Sequence, residues 1–148
     1  MMKRTEILGK LAPCGLDCSC CASFKGGPIA RQSRTLLEAL GDYQRMAQKM
    51  TAFFEPFAHF DSFQEILRFF ADAKCDGCRS GGSRYPDCAA KSCFKEMKVD
   101  FCGECKEFPC SRNRYNEDLH KRWLANGEFI RTKGIESFYD MQAGKPRY

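Results

Sequence analysis

The sequence predicts a small, mainly α-helical single-domain protein with cysteine-rich loops and little β structure. Three observations lead there. Apolar residues recur at helical spacing on both sides of the chain, alternating strand patterns are nearly absent, and eleven cysteines crowd into three short clusters. Residues 1–148 read as one cysteine-rich domain, with helical flanks at about 28–73 and 111–141 around a cysteine-rich middle at 75–110.

Residues 1–27 look irregular and carry the first cluster, Cys14, Cys18, Cys20 and Cys21. Pro28 suits the first position of a helix, with its fixed φ and missing donor, and the helix IARQSRTLLEAL should stop at Gly41. Asp42 can cap a second helix, in which Tyr43, Met46, Ala47, Met50, Phe53 and Phe54 share one face until Pro56 ends it. Asp61 or Ser62 opens a third, with Phe63, Ile66, Leu67, Phe69 and Phe70 as its apolar face. In the middle, Gly77, Gly81, Gly82, Pro86, Gly103 and Pro109 interrupt regular structure, leaving room for a short helix around Ala89–Met97. Ser111 can cap a helix through Trp123, and a last amphipathic helix is expected from about Glu128 to Met141.

Hydrophobic residues at 43% and charged residues at 29% are ordinary for a globular chain. No apolar run approaches the roughly 20 residues of a membrane span. The start, MMKRTEILGKLAPCG, has too short and interrupted an apolar stretch for a secretory signal, so a cytoplasmic protein is expected, with no membrane partner. Thiols stay reduced there, and the odd cysteine count with adjacent Cys20 and Cys21 fits poorly with disulfide pairing.

Thiols at such short spacing point to a metal ion. Cys75-Asp-Gly-Cys78 and Cys102-Gly-Glu-Cys105 have the form of zinc knuckles, in which a tight turn aims both sulfurs at one centre. One site can be built from Cys75, Cys78, Cys102 and Cys105. The other option closes locally through Cys75, Cys78, Cys88 and Cys93, leaving Cys102, Cys105 and Cys110 to take a fourth ligand from the first cluster. Cysteine-only ligation also serves iron–sulfur clusters, which stand as the alternative cofactor. The CxxxCxxC run at Cys14, Cys18 and Cys21 matches the spacing of radical S-adenosylmethionine enzymes. It has Cys20 where they carry an aromatic residue, and the chain lacks their partial barrel.

Taken together, CGLDCSCC, CDGC, the Cys88–Cys93 pair and CGECKEFPC resemble an uncharacterised family of cysteine-rich bacterial and archaeal proteins, domain of unknown function 3795. Its pattern runs CGLxCxxC, CxGC, a cysteine pair, then CxxCxxFPC, and the resemblance covers roughly residues 12–140. It implies metal binding by Cys14, Cys18, Cys21, Cys75, Cys78, Cys88, Cys93, Cys102, Cys105 and Cys110, with Cys20 the extra one. It brings no established reaction.

Other residues suggest less. The net charge of +5 would fall to about +1 if two zinc ions were each held by four thiolates, because the ligands lose their protons. Residues 112–133 carry a local +3 with Tyr115 and Trp123 interleaved, which reads as a solvated helix face rather than a nucleic-acid site. His59 and His120 form no HExxH pattern or triad. Seven of thirteen phenylalanines fall between Phe53 and Phe70, and a stripe at helical spacing reads first as core. The function expected is zinc binding by a binding or scaffolding module whose partner is unknown, with a protein as the candidate and nucleic acid disfavoured. The alternatives are an iron–sulfur electron carrier and, more remotely, a zinc enzyme keeping an open ligand position.

Overall fold

Helix signals dominate the sequence outside the cysteine clusters, and the structure, a computed structural model describing residues 2–82, 85 and 87–148, follows them. Its described residues form seven α-helices and no strand, and the fold is mainly α, 56% helical. The helices are α1 (Arg4–Leu8), α2 (Pro28–Leu40), α3 (Gln44–Met50), α4 (Phe60–Ala71), α5 (Ala90–Glu96), α6 (Glu117–Lys133) and α7 (Ile135–Gln142). Short 3-10 turns occupy Glu55–His59, Cys78–Ser80 and Cys102–Glu104, and an isolated bridge pairs Leu11 with Asp17. None of these helices is long and apolar enough to cross a membrane. Pro86, expected to interrupt the middle, lies outside the described residues.

The chain divides into two compact units, one of Cys20–Lys74 and one of Met1–Ser19 with Cys75–Tyr148. The helix α2 of the 20–74 unit begins at Pro28 and ends before Gly41, as its punctuation predicts. Packed against it, α4 buries Phe60, Gln64, Leu67 and Ala71, spaced i, i+4, i+7, i+11. Small residues, Ala30 and Ser33, form the buried side of α2. Arg34 on the same helix donates to the carbonyls of Ala71 (2.8 Å) and Lys25 (3.1 Å), which helps fix the phase of α4.

That phase corrects the expected apolar face. Phe63, Ile66 and Phe69 are exposed, and of the seven clustered phenylalanines only Phe60 is buried. The helix expected to reach Phe54 ends at Met50, leaving Phe53 79% exposed. The stripe is therefore surface rather than core. Its spacing is helical, but α2 offers a contact face that accepts the neighbouring stripe instead.

The other unit has two apolar clusters. Ile7, Leu11, Phe101, Ile130, Ile135, Phe138 and Tyr139 join α1, α6 and α7. Ala12, Cys14, Cys88, Ala90, Cys102, Phe108 and Trp123 form the second cluster, so cysteines are part of its core. Here too the helix boundaries move. Ser111 does not start α6. Asn116 does, its side chain accepting the Leu119 N–H at 2.9 Å. The helix then runs unbroken through the expected gap at 124–127 because Trp123, Gly127 and Ile130 continue one buried stripe. The break comes at Gly134, whose φ of +82° suits glycine and separates α6 from α7. The expected helix around Ala89–Met97 is present as α5.

Candidate metal centre

The CGEC and FPC segments are fixed by α6. Arg131 donates to three of their carbonyls, Gly103, Cys105 and Phe108, each at 3.0 Å, with its guanidinium 5.0 Å from the Phe108 ring centre. Backbone approach is closer than any side chain allows. A Cβ on Gly103 would stand 2.3 Å from the Gly127 carbonyl oxygen, and one on Gly127 would stand 2.1 Å from the Phe108 ring. The Phe108 ring also meets Trp123 edge-on, with centroids 4.8 Å apart, and the Phe108–Pro109 peptide is cis. At the start of the loop, the Glu104 carboxylate accepts the N–H groups of Asp100 and Phe101 and pairs with Arg4 at 2.6 Å.

A second arginine ties the three cysteine-bearing segments together. Arg79 follows Cys78 and donates to the Leu11 carbonyl (2.9 Å) and the Asp100 carbonyl (2.7 Å), between the rings of Phe94 and Phe101. Burial pulls its pKa down, and Asp100 and Glu104 oppose that pull. The N-terminal segment folds back on itself through Ala12 N–H to Leu16 O (2.8 Å) and Cys18 N–H to Lys10 O (2.8 Å), with Gly15 at φ +82°. Cys102 N–H then bonds the Pro13 carbonyl at 2.8 Å.

These ties gather thiols that the sequence scatters. Cys93, Cys102, Cys105 and Cys110 line one cavity together with Phe108 and Trp123. Its volume, about 20 Å³, holds one water-sized or ion-sized group. Beside it, Cys14 and Cys88 are buried, with Cys18 and Cys78 packed against the same cluster. The Tyr115 hydroxyl lies 3.1 Å from the Cys88 sulfur. Cys75 points elsewhere, donating its thiol to the Gly82 carbonyl at 2.8 Å and accepting the Gly77 N–H at 3.3 Å. Cys20 and Cys21 fall in the 20–74 unit. None of the eleven cysteines, all of them described, is in a disulfide.

The grouping differs from both partitions drawn from spacing. Cys93, Cys102, Cys105 and Cys110 share the cavity, whereas Cys88 shares one apolar cluster with Cys14 and Cys102 and the half-buried Cys18, Cys78, Cys105 and Cys110. His59 is exposed beside Glu55 (3.6 Å), and His120 packs by the Trp123 ring (5.3 Å).

Burial sets the protonation of these thiols. It pushes Cys14 up to about 12 and Cys102 up to about 12, and raises Cys93, so without metal these thiols are neutral at pH 7. Cys18 is shifted the other way, because the Cys78 thiol and backbone N–H both donate to its sulfur. Cys78 is raised by the same bond.

Among the described residues, no three His, Cys, Asp or Glu side chains already converge as a cage around one ion. The thiols around the cavity are nevertheless of the kind and number that a thiophilic ion takes. One further observation fits. The Trp123 indole N–H is buried and has no hydrogen-bond acceptor. Its pull on Cys102 is downward, favouring the thiolate, without the geometry of a formed bond. A metal-bound thiolate at Cys102 would give that donor its acceptor.

The cysteines that form this arrangement all lie within a stretch shared with other proteins. Residues 10–115 match the family described as Protein of unknown function (DUF3795). The chain belongs to this family. No curated protein and no solved structure matches it. Trp123, which lines the cavity, and Arg131, which holds the loop carbonyls, lie beyond the matched stretch and were not singled out as site residues by spacing. Nor was Arg79, whose role depends on carbonyls distant in sequence. A glycine inside the α6 pattern was the one local sign of the close contact at Gly127.

Proposed function

We propose that this protein is a cytoplasmic zinc-binding module whose thiolate-held ion is structural and which serves binding or scaffolding. The observation that carries the reading is the cavity bounded by Cys93, Cys102, Cys105 and Cys110, with the orphan indole donor of Trp123 at its wall. Its volume suits a single ion. Bound zinc would supply a crosslink between α5 and the CGEC–FPC loop, and binding free energy at such a site is also folding free energy. Arg131 holds the loop's carbonyls in place, and the apolar wall of Phe108 and Trp123 keeps water from the sulfurs.

Elemental analysis with a visible spectrum, on protein purified without oxygen, tests this. Zinc bound without colour, together with a red shift of Trp123 emission on chelation, is the expected result. Absence of stoichiometric metal, or zinc content unchanged in Cys105→Ser, overturns it. Iron–sulfur ligation is the second reading, favoured by the apolar lining, which tunes such clusters. Iron with sulfide and a broad visible band would select it.

A further inference from the structure

The exposed aromatic stripe of the 20–74 unit takes no part in the proposed metal site. Phe53, Phe54, Phe63 and Ile66 all face solvent, Phe53 by 79% and Ile66 by 57%. They belong to one surface. Ring centroids step from Phe54 to Phe57 (6.4 Å), Phe57 to Tyr43 (6.4 Å), Tyr43 to Phe60 (5.6 Å) and Phe60 to Phe63 (5.8 Å). Ile66 follows Phe63 one turn along α4. Contiguous apolar surface of this kind on a small unit marks a place where another molecule sits. We propose that this face is the interface of a symmetric dimer, in which a second copy of the chain lays its own Phe53, Phe54, Phe63 and Ile66 against it. The inference is independent of the proposed zinc site.

Area and charge select a second copy as the occupant. A covered aromatic side chain removes about 150–250 Å² from water, so the exposed fractions of these four residues amount to roughly 450 Å². Two such faces would bury about 900 Å² of apolar side chain, and a polar rim carries the total into the range of about 1,200–2,000 Å² of specific interfaces. The charge pattern agrees. At about 100° per residue, Phe63, Ile66 and Phe70 share one side of α4 with Ser62, whereas Asp61, Glu65 and Arg68 gather on another. Two acids and one base are the reverse of the Lys/Arg-rich polar face of a helix that lies on a membrane. Residues 20–74 carry seven Lys or Arg and six Asp or Glu, a net +1 of the chain's +5, so two copies of this unit meet little repulsion. An uncharged apolar face on a nearly neutral unit is complementary to itself, as a two-fold interface requires.

The test is sedimentation equilibrium of the full chain, purified without oxygen, from about 1 µM to about 1 mM. A mass that rises with concentration from 16.9 kDa to twice that is expected. Ile66→Glu puts an unpaired carboxylate into the apolar contact twice per dimer and should raise the dissociation constant about a hundredfold or more. An unchanged urea midpoint in dilute solution, where the chain is monomeric, shows that this variant folds. Phe53→Ser is the milder change and should weaken the dimer about tenfold. Met141→Glu, at an exposed apolar residue of the other unit, should leave the dimer intact. A mass that stays at 16.9 kDa throughout overturns the proposal. So does a dimer that Ile66→Glu and Phe53→Ser leave as strong as the wild type. Flotation of a monomeric wild type with phosphatidylserine vesicles, lost in Ile66→Glu, would overturn it too and give the face to a membrane.

Discussion

The 20–74 unit and the unit built from 1–19 and 75–148 use opposite means to define a structure. The first is three helices whose main contact is α2 on α4, made by one stripe of ordinary core residues. The second threads irregular loops over α6 and fixes them with arginines bonded to backbone carbonyls. Where a contact is made by side chains at helical spacing, the stability sits in apolar area. Where it is made by loops, stability sits in satisfied backbone groups and close backbone approach, and thiols can be placed at chosen points. The difference explains why cysteines enter the core only in the second unit's cluster.

That contrast can be broken in order of size. Leu67→Ala removes a buried side chain from the α4 stripe and should cost about 3 kcal/mol, read as a lower midpoint in urea with an unchanged slope. A cost under about 0.5 kcal/mol, the size of a surface change, would show that the α2–α4 contact is not apolar in origin. Gly127→Ala is the counterpart on α6. Alanine is the better helix former by about 1 kcal/mol, yet its methyl would overlap the Phe108 ring, so a net loss of about 2 kcal/mol is expected. A stabilised variant would mean that the glycine is there for another reason.

Smaller effects sharpen the comparison. Arg131→Met keeps the apolar stem and removes the donors, leaving three carbonyls to solvent. A loss of about 1–2 kcal/mol is expected, with a shift in Trp123 emission because the cavity wall moves. Equal stability of variant and wild type would demote the guanidinium to a surface group. Phe63→Ser should change stability by less than about 0.5 kcal/mol, since the ring is 43% exposed. A loss above about 2 kcal/mol would show that the aromatic stripe is structural after all.

How legible each unit was in the sequence follows from the same contrast. Pro28 and Gly41 gave the bounds of α2 because both act through their own backbone. Phe63, Ile66 and Phe69 misled because periodicity identifies a helix and an apolar face, while the partner helix decides which stripe is covered. The gap at 124–127 was misplaced because Gly127 serves a contact with Phe108 and Gly103 rather than a turn. The identity of the cysteines as a group was plain from their clustering. Their division was not. Cys88 and Cys93 are five apart in sequence, yet of the two only Cys93 lines the cavity, because one precedes α5 and the other lies within it.

Arg79 carries a consequence for how the thiols come together in time. It must find carbonyls 68 residues away at Leu11 and 21 away at Asp100. Closing loops of that length costs chain entropy before any contact offsets it, which places assembly of the cysteine-bearing segments among the slower, topology-limited steps of folding. Chain topology therefore governs how fast the cysteine-bearing segments assemble.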